Sequence, residues 1–221
     1  MSLFSDKISK KTKYDLVKNT KRNNFKFLNE TVCKKGQTVL FGDSITEIFN
    51  VTDLFNDYTE TTGLAVYNRG ISGDTSDRLL ERIYDNVINI KPRNLAILIG
   101  ANDLGLGAPP DFTEKNVDSL LKIICGECPE ANIILEAVYP VNKGLNMASR
   151  QMVGGRKNSD IAELNTQLKE LSIKYGVIFA DFTDKLSDKK GNFNKEYTYD
   201  GLHPTAQGFK AVAESLIPLF K

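Results

Sequence analysis

The chain has 221 residues, of which 41% are hydrophobic and 26% charged, with a formal net charge of +1. That balance describes one globular domain with a substantial core, and it excludes a disordered tract or a chain drawn to nucleic acid by its total charge. No run approaches the roughly 18 apolar residues that span a bilayer. The N-terminus shows neither the apolar core nor the small-residue cleavage site of a signal peptide, so the expected location is the cytoplasm.

Segment 1–35 is basic. Lys7, Lys10, Lys11, Lys13, Lys18, Lys21, Arg22, Lys26, Lys34 and Lys35 face only Asp6, Asp15 and Glu30. Leu3, Phe4, Ile8, Leu16, Val17, Phe25, Phe27 and Leu28 are interspersed among them, which reads as a helical extension lying along the outside of the domain and apart from its chemistry. A membrane-binding or RNA-binding arm is the alternative. From residue 36 onward, short runs rich in Val, Ile and Leu recur at 38–41, 64–68, 94–99, 132–138 and 177–181. They lack polar alternation, as strands covered on both faces do. Apolar residues at helical spacing fill 76–90, 113–125, 160–175 and 205–219. Segment 36–221 is therefore expected to be one α/β domain: about five parallel strands with helices on both faces.

The three cysteines, Cys33, Cys125 and Cys128, fit a reducing compartment. Cys125 and Cys128 have C-x-x-C spacing, but with no second pair and no histidine nearby they are expected to close a helix before Pro129. No metal and no cofactor are expected.

In open parallel sheets, ligands bind outside the carboxyl ends of the strands. Polar, glycine-rich clusters follow four of the expected strands there: Gly42-Asp43-Ser44, Arg69 through Thr75, Gly100-Ala101-Asn102-Asp103, and the long segment 139–160. Ser44 would begin a helix, where its own N–H is unpaired. A serine needs a base, and the chain has a single histidine, His203, with Asp200 three residues before it. Gly73 offers a backbone N–H in an open loop and Asn102 a side-chain amide, both candidate donors to a developing oxyanion. Each has an ordinary reading as well: glycines form turns, Asn-Asp pairs occur in loops, and a lone histidine can simply pack.

Taken together, Gly42-Asp43-Ser44-Ile45-Thr46, the run from Asn68 to Thr75, Gly100-Ala101-Asn102-Asp103 and Asp200-Gly201-Leu202-His203-Pro204 resemble the four blocks of the SGNH (GDSL-type) hydrolases. The resemblance runs from about residue 38 to 219, and segment 68–82 is most similar to bacterial members related to the platelet-activating-factor acetylhydrolase α subunits. It implies a flavodoxin-like three-layer sandwich and a serine esterase. It also implies Ser44 as nucleophile, an oxyanion hole of Ser44, Gly73 and Asn102, and His203 as a base oriented by Asp200. Asp43 is expected to hold the turn. The implied partner is a small-molecule ester, with neither nucleic acid nor membrane insertion; a homodimer is compatible with it.

A short acyl group, such as acetyl on a sugar, is the expected substrate, with lysophospholipase or thioesterase chemistry as the alternative. The 139–160 segment, carrying Asn142, Lys143, Arg150, Arg156 and Lys157, is expected to be the variable loop that sets specificity. A flavodoxin-like nucleotide or flavin binder is the rival class, since a helix N-terminus at Ser44 could hold phosphate. The chain lacks the G-x-S-x-G elbow, the phosphate loop and the dinucleotide fingerprint. A non-catalytic interaction protein acting through the basic arm is a third class.

Overall fold

In the computed structural model, which describes residues 2–221 and side chains from residue 15 onward, the chain opens with α1 (Ser2–Thr31) and enters the sheet at β1 (Thr38–Gly42). Three short helices follow, α2 (Ser44–Glu47), α3 (Val51–Leu54) and α4 (Asn56–Thr62), before β2 (Val66–Gly70). Next come α5 (Ser76–Asn86), β3 (Asn94–Leu98), α6 (Ala101–Gly105), α7 (Pro110–Glu127) and β4 (Asn132–Glu136). The chain ends with α8 (Met147–Val153), α9 (Asn158–Tyr175), β5 (Ile178–Ala180), α10 (Thr183–Leu186) and α11 (Ala206–Leu216).

The five strands are parallel and lie in the order β2-β1-β3-β4-β5. This is the flavodoxin-like order, in which the strand sequence reverses between β1 and β3 and leaves a crevice above their carboxyl ends. Alternate residues of β1 feed two separate cores. Val39 and Phe41 join Leu79 and Ile83 of α5, Leu120 and Leu121 of α7 and Leu168 of α9. Leu40 points the other way, to Phe49, Phe55, and Phe209, Val212 and Leu216 of α11. Each fully buried Leu, Ile or Phe side chain is worth about 1.5–3 kcal/mol of transfer from water, which is why unalternated runs make the central strands.

The strand and helix positions follow the sequence reading, with local shifts. The second strand starts at Val66 and ends at Gly70, later than 64–68, because its register sets Gly42 of β1 opposite Gly70. It is an edge strand and only half-buried at its start. α1 lies beside it: Arg69 donates to Asn29 Oδ1 (2.6 Å), and its guanidinium sits over the rings of Phe25 (4.8 Å) and Tyr67 (5.2 Å). The extension thus contacts the outer strand through the Arg69 side chain. Helix 76–90 ends early, at Asn86, and a 3₁₀ turn at Ile88–Ile90 completes it.

Segment 139–160 is not an open loop. Asn146 and Ser149 form a capping box that starts α8, Asn142 N–H donates to Gly201 O (2.8 Å), and Asn158 Nδ2 donates to Val141 O (3.0 Å). Cys128 caps the C-terminal end of α7, and burial pushes the thiols of both Cys125 and Cys128 upward.

Glu136, at the end of β4, is buried and accepts a hydrogen bond from the Tyr139 hydroxyl (2.7 Å). Burial pushes its carboxyl up to about 7. The folded chain therefore keeps this proton up to about pH 7, while the unfolded chain loses it in the ordinary carboxylate range, so Glu136 destabilises the fold progressively across that interval. Urea unfolding should show Glu136→Gln gaining on the parent protein as pH rises from 5 to 7, by at most about 1.4 kcal/mol per pH unit. A gap that does not change with pH would count against the buried, protonated carboxyl.

Candidate active site

Two glycines let the first turn of α2 rest directly on the strand ends. A Cβ on Gly42 would stand 2.2 Å from Thr46 Oγ1 and 2.3 Å from Leu98 O, and one on Gly70 would stand 2.1 Å from Glu47 N. Asp43 caps the helix, accepting from Ile45 N–H with Oδ1 (3.0 Å). Ser44 is thereby set at the head of α2 above the β1/β3 crevice.

The C-terminal turn meets it there. Ser44 Oγ lies 3.0 Å from His203 Nε2, and His203 Nδ1 lies 2.7 Å from Asp200 Oδ2. The other Asp200 oxygen accepts from the backbone N–H groups of His203 (2.7 Å) and Leu202 (2.9 Å). Burial pushes the Asp200 carboxyl up, but these two N–H groups and the imidazole outweigh it and hold it below its ordinary value. Asp200 is thus an anion at neutral pH. It favours the tautomer with hydrogen on Nδ1, leaving the Nε2 lone pair facing Ser44. Thr198 locks the turn, its hydroxyl donating to His203 O (2.7 Å) and accepting from Gly201 N–H (3.0 Å). The Tyr199 ring stacks on the imidazole at 6.2 Å between centroids.

Gly73 and Asn102 come to the same place. Gly73 has φ +73°, the left-handed region that suits glycine. Its N–H, like that of Ser44, donates to no acceptor among the described residues. The Asn102 amide nitrogen donates to Asp43 Oδ2 (3.1 Å) and to Asp74 O (2.9 Å). It is therefore stapled between the chain neighbours of Ser44 and Gly73, and both its hydrogens are engaged. Burial pushes Asp43 up to about 7, against the pull of Ile45 N–H and the charge of Arg156.

Three cations outside the four motif blocks complete the surroundings. Arg82, buried in α5, donates to Asp74 Oδ2 (2.8 Å), Arg69 O (2.8 Å) and Gly42 O (2.9 Å). Arg156 donates to Asn102 Oδ1 (2.9 Å) and Ala101 O (2.6 Å). Lys18 of α1 donates to Gly73 O (2.7 Å) and pairs with Asp74 (3.2 Å). The extension expected to stay apart from the chemistry thus touches the loop that bears Gly73. A cavity of about 450 Å³ opens beside Gly73 and Asn102, lined also by Lys18, Thr75, Arg78 and Arg156. A second, more apolar one of about 570 Å³ lies along Ile48, Leu54, Tyr199, Pro204 and Phe209.

Residues 40–211 match the GDSL-like Lipase/Acylhydrolase family. A Streptococcus pneumonia protein proposed to be a platelet activating factor superposes with a TM-score of 0.89 at 27% identity, over 100% of both chains. An acetyl-xylooligosaccharide esterase, Axe2 of Geobacillus Stearmophilus in a variant form, has the same fold: TM-score 0.65 at 22% identity, over 84% of this chain and 94% of that one. The chain is also 28% identical, over 92% of its length, to the N-acylneuraminate cytidylyltransferase of Escherichia coli, and it spans 43% of that relative.

Gly70 gives a direct check on how α2 is seated. Gly70→Ala drives a Cβ into the Glu47 backbone and should lower stability by about 1–3 kcal/mol, read by thermal unfolding. Gly126→Ala, with nothing within 4 Å in α7, is the control and should be neutral or slightly stabilising. Equal behaviour of the two variants would contradict this packing.

Proposed function

Because the chain belongs to the GDSL-like lipase/acylhydrolase family, we propose that it hydrolyses carboxylic esters through an acyl-enzyme on Ser44, with short acyl groups, such as acetyl on a sugar or another small alcohol, as substrate. The observation that carries this is the unbroken line Ser44 Oγ–His203 Nε2 (3.0 Å) and His203 Nδ1–Asp200 (2.7 Å).

Ser44 Oγ attacks the ester carbonyl carbon as its proton passes to His203 Nε2. The carbonyl π pair moves onto oxygen, where the N–H groups of Ser44 and Gly73 are poised to receive it. Asn102 joins them by sharing the hydrogen it gives to Asp43, the longer of its two bonds. When the tetrahedral carbon collapses, the alcohol leaves with the proton held on Nε2. Water then repeats the sequence on the acyl-enzyme and returns Ser44. Asp200 stays anionic throughout and steadies the imidazolium.

Two features support the short-acyl reading. The cavity beside Gly73 and Asn102 is lined by polar and charged groups suited to a hydroxylated alcohol. Axe2, similar in fold, is named for acting on acetylated xylo-oligosaccharides. The apolar cavity along Leu54, Tyr199 and Phe209 favours a second reading, a lysophospholipase or thioesterase that places a chain there.

Ser44→Ala should abolish hydrolysis of p-nitrophenyl acetate, and a fluorophosphonate should add once to the parent protein, at Ser44 by peptide mapping. An adduct elsewhere would overturn the assignment. Across p-nitrophenyl esters of increasing length, kcat/KM should be highest at acetyl and fall from butyryl onward; a maximum at octanoyl or beyond would select the second reading.

A further inference from the structure

We propose that Arg156 is a positioning residue for ester hydrolysis: its guanidinium clamps Asn102 so that the amide nitrogen faces the oxyanion, and by bonding the amide oxygen it strengthens the N–H as a donor. The inference rests on the reading of Ser44 as nucleophile and goes beyond it to a residue outside the four motif blocks.

The geometry is that of a bridge. On one side Arg156 Nη1 donates to Met152 O (3.2 Å) and Val153 O (3.1 Å), the last carbonyls of α8. On the other, Nε donates to Ala101 O (2.6 Å) and Nη2 to Asn102 Oδ1 (2.9 Å), both in the first turn of α6. A five-residue helix such as α6 holds a side chain weakly by itself, and a planar fork that grips its backbone and its side chain together restrains both. A cation on the amide oxygen draws electron density from the nitrogen, making its hydrogens more positive. The two ends of the amide then act in concert: oxygen on Arg156, nitrogen between Asp43 and Asp74.

Gly105 is an independent sign of the same fit. A Cβ there would stand 2.4 Å from both Cζ and Nη2 of Arg156. Its φ is not positive, so the backbone does not call for glycine; the space is taken by the guanidinium. Gly105→Ala therefore displaces the tip of one side chain and leaves the helix backbone in place.

The test is a double-mutant cycle with p-nitrophenyl acetate as substrate. Arg156→Ala should lower kcat by about tenfold or more while KM changes less than about twofold, a part of the 10²–10³ loss that removing an oxyanion donor brings. Gly105→Ala should do the same, and it carries the test if Arg156→Ala fails to fold. On the Asn102→Ala background, either change should cost less than about twofold more, because Arg156 acts through Asn102. A parental kcat in both Arg156→Ala and Gly105→Ala, an effect confined to KM, or losses that multiply with that of Asn102→Ala would overturn the proposal. Full turnover in Ser44→Ala would instead overturn the nucleophile assignment, so the two failures are told apart.

Discussion

The buried guanidinium of Arg82 is where the serine loop and the glycine loop are joined. It reaches from α5 to Gly42 O at the end of β1, to Arg69 O near the end of β2 and to Asp74, while its face lies 4.5 Å from the centre of the Phe41 ring. Gly42 leads directly into Asp43-Ser44, and Asp74 directly follows Gly73. One side chain thus sets the distance between the proposed nucleophile and the proposed backbone donor. Burial lowers its pKa to about 10, so it stays charged at neutral pH. A buried pair like Arg82 and Asp74 adds little net stability over an apolar filling, but removing one partner costs about 3–5 kcal/mol. Its value lies in geometry rather than in strength.

Around this pair, three buried carboxylates, Asp43, Asp74 and Asp103, crowd under the strand ends. Each is used structurally. Asp43 caps α2, Asp74 holds Arg82 and Lys18, and Asp103 accepts from Ser76 N–H (3.1 Å) and its hydroxyl (2.6 Å) at the head of α5. Like charges held close, away from water, would expel one another without counter-charge. Arg82 and Lys18 supply it to Asp74, from α5 and α1, and Arg156 supplies it to Asp43 from the turn before α9, while Asp103 is held by its hydrogen bonds from Ser76. The cations that order the loops are therefore the ones that make an acidic cluster tolerable there.

This places the N-terminal helix in a different light. Its basic surplus is not simply a solvated face. Lys18 and Lys21 bind the loop after β2, through Asp74 and Gly73 O and through Glu47, whose carboxylate also accepts from Ser72 N–H. Arg22 and Lys26 pair with Asp85 on α5. Half-exposed pairs of this kind are individually weak. Along one helix they add up to a defined seat against α5, α2 and the loop after β2.

The sequence by itself determined the doubly covered parallel sheet, through unalternated Val, Ile and Leu runs such as 94–98, and the order of the four polar blocks at its carboxyl edge. Those signals are local: period, turn residues and the neighbourhood of a lone histidine. Asp200 and His203 could be paired because they share one turn. The tertiary structure alone decided that 139–160 folds into α8 and delivers Arg156 to Asn102, and that both hydrogens of the Asn102 amide are engaged. It alone decided that Lys18 reaches Gly73 and that Arg82 ties two strand ends. These partners lie 13 to 59 residues apart in the chain. An arginine or lysine carries the same local pattern whether it faces solvent or a buried carboxylate. Which of the two it does is set by strand register and helix packing, through the cost of leaving a buried polar group unpaired.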